Sequence, residues 1–208
     1  ISKMFRNLPP VTKNLLIINF IVFFADYVFG RYGISLTHYL GLHYITASEF
    51  HVWQPLTYMF MHGGLMHILW NMFALYLFGR IFLDFFSVRH FVGVYLLGGL
   101  FGALFFVLAY NLFPYFAAVV DVSHLVGASA AVLAVVTAAA VRSPEYRINM
   151  LFFGSVKLST FAIVTVCISV LMLSGNNALF TGAEALFRRP MTVYEELARE
   201  NGGGNVLD

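Results

Sequence analysis

The chain has 208 residues, of which 60% are hydrophobic and only 11% are charged. A soluble domain carries about 25% charged residues, so this composition excludes an ordinary soluble globular protein. The net charge of +2 is too small to indicate a nucleic-acid partner. The one cysteine, Cys167, excludes a disulfide framework and a cysteine-based metal site. We therefore predict an all-α, polytopic membrane protein whose surroundings are a lipid bilayer.

Five apolar segments approach the length of ~20 residues that a helix needs to cross a bilayer. Because lipid offers no hydrogen-bond partner to backbone groups, we expect each segment to be a transmembrane helix. The segments are Asn14–Val28, Thr57–Phe78, Phe91–Phe113, Leu125–Val141 and Leu158–Leu173.

Basic residues alternate between the loops that join these segments. They precede the first segment and separate the second from the third and the fourth from the fifth, whereas the other loops nearly lack them. By the positive-inside rule this pattern predicts a cytoplasmic N-terminus. The basic residues are Lys3, Arg6, Lys13, Arg80, Arg89, Arg142, Arg147 and Lys157. The short loops favour a bacterial inner membrane.

The C-terminal part conflicts with five crossings, which would leave the tail outside. The tail carries Arg188, Arg189 and Arg199, which favour the cytoplasm. A sixth crossing would resolve the conflict, but only residues 178–187 are available, about half of the required length. We therefore predict a membrane domain at residues 1–190 that largely lacks a sixth helix. Residues 191–208 form a polar cytoplasmic tail, with a short amphipathic piece followed by disorder.

The long loop of residues 31–54 is rich in aromatic side chains, including Tyr32, Tyr39, Tyr44 and Trp53. Tyr and Trp favour the membrane–water interface, so we expect this outer loop to lie there. It is either a functional loop or a passive interfacial hairpin.

Polar residues in two of the segments predict a single site. His67 and Asn71 are four residues apart, on one helix face, and Ser129 begins a run of small residues after Gly127 and Ala128. The predicted orientation brings both groups to the outer end of their helices, at a similar depth. A serine hydroxyl beside an imidazole and a carboxamide is suited to nucleophilic chemistry, with His67, Asn71 and the Ser129 N–H binding an oxyanion. His62 lies on a different face, where it would support the helix start.

Each of these residues also has a structural interpretation. A serine in an alanine-rich membrane helix commonly serves packing or bonds its own helix carbonyl, and His67 with Asn71 could bridge two helices. Two histidines could bind haem or a metal, but their offset of five residues and the lack of a third ligand disfavour this. We predict no cofactor and no metal.

These residues together resemble the rhomboid family of intramembrane serine proteases. The resemblance rests on Trp53–Thr57, His62–Asn71 and Gly127–Ser129, in the family's order and spacing, and covers roughly residues 10–178. It implies six helices with the N-terminus inside and the first outer loop lying sideways in the membrane. It also implies that Ser129 is the nucleophile, that His67, Asn71 and the Ser129 backbone form the oxyanion hole, and that His62 and Gly127 support them. Substrates would be membrane proteins, cut in or near transmembrane segments.

Two departures from the family bear on activity. Ala130 stands where the family has glycine, which is a small change. The family's base is a histidine in a sixth helix, and no histidine follows His124 in this sequence. Both the charge pattern and the resemblance point to missing residues near the junction of Ala178 and Leu179. His124 would have to swing in to replace the base, and nothing in the sequence orients it.

Three functions follow. The first is an intramembrane serine endopeptidase, and the second is a catalytically inactive rhomboid-like protein that binds transmembrane clients. The third, a small transporter or cofactor-binding bundle, is disfavoured because the sequence has no inverted repeat and no intramembrane carboxylate relay.

Overall fold

A computed structural model describes residues 8–112, 123–150 and 154–174. Most of these residues are helical, and the strands among them form two short antiparallel pairs. The helices are α1 (Pro10–Gly30), α2 (Leu36–Leu40), α3 (Gln54–Thr57), α4 (Leu65–Phe85), α5 (Val88–Leu112), α6 (Ser129–Arg142) and α7 (Leu158–Ser174). The strands are β1 (Leu42–His43), β2 (His124–Leu125), β3 (Arg147–Met150) and β4 (Gly154–Lys157). The predicted all-α fold is confirmed.

Within the described residues, α1, α4 and α5 are long and apolar enough to cross a membrane. The helix α6 and the part of α7 up to Cys167 are apolar but shorter. Large apolar side chains such as Phe24, Trp70 and Phe101 are exposed on the long helices. Apolar surface of this extent suits helices whose surroundings are lipid, as expected for a membrane helical bundle.

The second predicted crossing helix begins later than expected. The prediction placed its start at Thr57, whereas α4 begins at Leu65. Gly64 caps α4, and glycine is a poor helix former, so the helix does not extend back through it. The preceding residues form α3 and a 3₁₀ turn at Tyr58–Phe60. At its other end α4 continues through Arg80, which therefore lies in a helix and not in a loop.

The fourth predicted helix is also shorter than expected, because it begins at Ser129 and not at Leu125. Two features prevent the helix from beginning earlier. Strand β2 pairs with β1, so that His124 lies opposite His43. Gly127 then adopts a φ of 117°, which a helix does not allow. The 14 residues of α6 rise about 21 Å, less than the ~30 Å of a bilayer core.

The core lies where α6 packs against α4 and α5. One face of α6 is buried there. Glycines on α5 allow the close approach: a Cβ on Gly98 would collide with the Ala134 Cβ, and one on Gly102 would lie 2.5 Å from the Ala130 Cβ. Small residues let membrane helices pack closely, and Gly98 and Gly102 have that role here. The buried residues of α6 are Ala131, Val132, Val135, Val136, Ala139 and Ala140.

The loop of residues 31–54 is organised around the buried side chain of Gln54. Its Oε1 accepts a hydrogen bond from the His43 N–H at 3.1 Å, and its Nε2 donates to the Glu49 carbonyl at 2.7 Å. The Trp53 Nε1 donates to the Tyr39 carbonyl at 3.0 Å, while both aromatic rings remain exposed. The loop is thus an ordered structure with exposed aromatic residues on its surface.

Contacts along the chain divide it into two units, Ile1–Ile163 and Val164–Asp208. The first unit contains every element up to the beginning of α7, and the rest of α7 belongs to the second. The predicted domain boundary at residue 190, the polar tail and the junction of Ala178 and Leu179 lie outside the described residues.

Candidate active site

Ser129 is the first residue of α6, and its side chain is exposed. At this position the backbone N–H belongs to the first helical turn, where amide groups have no partner within the helix. The N-terminus of a helix also carries a partial positive charge. The local structure therefore offers an accessible hydroxyl beside backbone donors that suit a developing negative charge.

The imidazole of His67, in the first turn of α4, lies against the backbone of Gly127. A Cβ on Gly127 would be 2.7 Å from both the Cε1 and the Nε2 of His67 and 3.8 Å from the Ser129 Oγ. Only glycine fits here, because of this approach and because of the positive φ. Gly127 is therefore the place where the candidate nucleophile and His67 meet.

Asn71 lies one turn further along α4 and is 7% exposed. Its Nδ2 donates a hydrogen bond to the backbone carbonyl of His67 at 2.9 Å. A carboxamide has two N–H donors, so this bond occupies one of them. Asn71 is thus anchored to the helix turn that carries His67, which restricts the directions in which its other donor can point.

His62 is not on the α4 helix but in the loop before it, and only 2% of it is exposed. Its ring packs edge-on against that of His67, with centroids 5.1 Å apart. Burial, followed by the neighbouring His67, lowers the pKa of His62 to about 4. A neutral His62 ring is therefore in contact with the His67 ring.

The described residues contain a group of three histidines that sequence spacing did not predict. The ring of His43 lies 5.8 Å from that of His38 and 5.6 Å from that of His124. Burial, then His124 and His38, lowers the pKa of His43. The pairing of β1 with β2 places His124 directly opposite His43. No group of His, Cys, Asp or Glu in the described part of the chain is arranged to hold a metal ion.

Residues 49–183 match the family model for the Rhomboid domain, which covers more than half of the chain. The chain belongs to the rhomboid family. The match includes residues 49–54 of the loop that carries Gln54, the whole of α4 to α6, and both parts of the candidate site. No curated protein matches this rhomboid. Its family membership and its apolar helices make it an integral membrane protein.

Proposed function

We propose that this rhomboid is an intramembrane serine endopeptidase that cuts membrane proteins in or near their transmembrane segments. Ser129 is the nucleophile, and His67, Asn71 and the Ser129 N–H bind the oxyanion, with His62 and Gly127 in supporting positions. The observation that supports the proposal is that a Cβ on Gly127 would lie 2.7 Å from the His67 ring and 3.8 Å from the Ser129 Oγ. The predicted orientation, with the N-terminus in the cytoplasm, places this site near the outer surface.

In this mechanism the Ser129 Oγ attacks a peptide carbonyl, whose oxygen becomes negatively charged. Preorganised donors lower the energy of that charge, and removing one donor typically slows turnover about 100-fold to 1,000-fold. Serine is a weak nucleophile unless a base takes its proton. The family resemblance assigns the base to a histidine of a sixth helix, and no histidine follows His124 in these 208 residues.

That observation favours a second candidate function, in which this rhomboid binds transmembrane clients without cutting them. The exposed apolar side chains of the long helices would then hold a client segment. Without a base, the oxyanion donors alone would leave only a residual rate.

A fluorophosphonate probe distinguishes the two functions. In detergent micelles or liposomes, an active protease is labelled, Ser129→Ala is not, and Ser143→Ala is labelled as the wild type because Ser143 lies at the opposite end of α6. A folded wild-type protein that takes up no label, yet co-purifies with a transmembrane peptide, would support the binding function. Sequencing the DNA across the junction of Ala178 and Leu179 shows whether a base-bearing segment is encoded there.

A further inference from the structure

Tyr58 belongs neither to the sequence motifs described above nor to the residues proposed for the chemistry. It begins the 3₁₀ turn between α3 and the loop of His62, and only 1% of it is exposed. A buried tyrosine usually has a hydrogen-bond partner for its hydroxyl. Tyr58 bonds two different parts of the chain, one through its hydroxyl and one through its backbone carbonyl.

The backbone of Tyr58 holds the loop that leads to Ser129. Its carbonyl accepts a hydrogen bond from the Gly127 N–H at 3.0 Å. Gly127 is also the residue against which the His67 ring lies. This bond therefore fixes the backbone at the point where the two halves of the candidate site meet.

The side chain of Tyr58 attaches the same turn to α5. Its hydroxyl donates a hydrogen bond to the Gly99 carbonyl at 2.7 Å. Burial raises the pKa of Tyr58, so the hydroxyl keeps the proton that it donates. A Cβ on Gly102 would lie 2.6 Å from this hydroxyl and 2.5 Å from the Cβ of Ala130, the residue after Ser129. The hydroxyl and Ala130 therefore share the space that Gly102 leaves open.

We infer that Tyr58 is a positioning residue that holds Gly127, and through it His67 and Ser129, in a fixed relation to α5. The inference rests on the proposed function for its effect on reactivity. Its structural part, the coupling between the Tyr58 hydroxyl and the Gly127 amide, can be measured independently of any activity.

The test compares Tyr58→Phe with Tyr95→Phe. Tyr95 is equally buried, at 1% exposed, and lies on α5 one turn before Gly99, but its hydroxyl interacts with the Asn19 side chain of α1 and not with the Gly99 carbonyl. Amide hydrogen exchange at Gly127 and Ser129 is measured in micelles, with the amides of α1 as the reference for global unfolding. We expect Tyr58→Phe to speed exchange at Gly127 about fivefold while α1 is unchanged, and Tyr95→Phe to leave Gly127 as in the wild type.

A second variant fills the space beside the Tyr58 hydroxyl from α5. Gly102→Ala places a methyl group against the Tyr58 hydroxyl and Ala130, so Gly127 should again exchange faster. Unchanged exchange at Gly127 in Tyr58→Phe, or an equal increase in α1, would overturn the inference.

Reactivity gives the functional part of the test. If Ser129 takes up the fluorophosphonate, Tyr58→Phe should lower the labelling rate severalfold and lower kcat more than it raises KM, whereas Tyr95→Phe should match the wild type. A wild-type protein without any labelling would contradict the proposed function, while the exchange at Gly127 would still decide the coupling.

Discussion

The imidazole of His67 lies over the backbone of Gly127, so close that a methyl group on Gly127 would stand 2.7 Å from two of its ring atoms. Gly127 has a φ of 117°, which disfavours any other residue. One glycine thus allows α4 and the beginning of α6 to approach each other. Its replacement gives the most direct test of the site's geometry.

Gly127→Ala should displace His67 and strain the backbone, lowering the free energy of unfolding by about 1–3 kcal/mol. Turnover should fall at least tenfold if His67 binds the oxyanion. The matched control is Gly93→Ala on α5, where a Cβ would meet no atom within 4 Å. Alanine is the better helix former, so this control should be neutral or more stable by up to about 1 kcal/mol. Thermal unfolding in micelles measures both, and equal stability of the two variants would contradict the steric argument.

Asn71→Ala should slow turnover about tenfold to 1,000-fold with the fold intact, because it removes a donor proposed for the oxyanion. It also removes the bond to the His67 carbonyl, so the control must lose a similar bond elsewhere. Asn111→Ala does this, since the Nδ2 of Asn111 donates to the Val107 carbonyl at 2.8 Å. Peptide cleavage in liposomes provides the measurement. Loss of activity in both variants, or in neither, would remove Asn71 from the mechanism.

Acid should destabilise the protein through His62. In the unfolded chain a histidine has a pKa of about 6.5, whereas the pKa of the buried His62 is about 4. Between these values the unfolded state binds a proton that the native state does not, so the free energy of unfolding falls as the pH falls. The slope is at most about 1.4 kcal/mol per pH unit.

Unfolding of His62→Gln, followed from pH 7 to pH 4, should show a shallower dependence on pH than the wild type. The lowered pKa of His43 accounts for part of the slope that remains. The exposed His90, at the beginning of α5, offers the comparison, and His90→Gln should keep the wild-type slope. If His62→Gln and the wild type have the same slope, His62 is not buried in its neutral form.

Gln54→Leu should release the loop of residues 31–54. Leucine is similar in size to glutamine but has no amide group. It therefore leaves the His43 N–H and the Glu49 carbonyl without the partner that they have in the native protein. Each unsatisfied buried group costs about 1–3 kcal/mol. Limited proteolysis should then cut within residues 31–53 faster than in the wild type, while α4 and α5 stay protected. Thr57→Val, which removes the bonds from the Thr57 Oγ1 to the carbonyls of Leu40 and Trp53, should have a smaller effect.

Hydropathy predicted where the helices lie, because a lipid environment leaves few alternatives to an apolar helix. It did not predict where α4 and α6 begin. Leu65 and Ser129 are helix starts because of Gly64, the positive φ of Gly127 and the pairing of β1 with β2. Apolar residues such as Leu125 continue the hydropathy pattern past these points, so the pattern alone extends the helices too far.

The sequence predicted that His67 and Ser129 would lie at a similar depth and form one site, and this stays a prediction; the structure shows both side chains near Gly127. It gave no sign of the bond between the Tyr58 carbonyl and the Gly127 N–H, which joins backbone groups far apart in the chain. Any residue supplies such groups, so no side-chain pattern marks them. The cluster around His43 was missed for the same reason, since strand pairing brings His124 to it.

The short helix α6 has a consequence for how this rhomboid responds to its membrane. Helices that face lipid tilt or deform the bilayer when its thickness changes. With 14 residues, α6 falls about 9 Å short of the hydrocarbon thickness, but it packs against α4 and α5. A change in acyl-chain length should therefore tilt α4 and α5 and not α6. The distance of Ser129 from the aqueous phase is then determined by the packing of α6 against these helices and not by the thickness of the lipid.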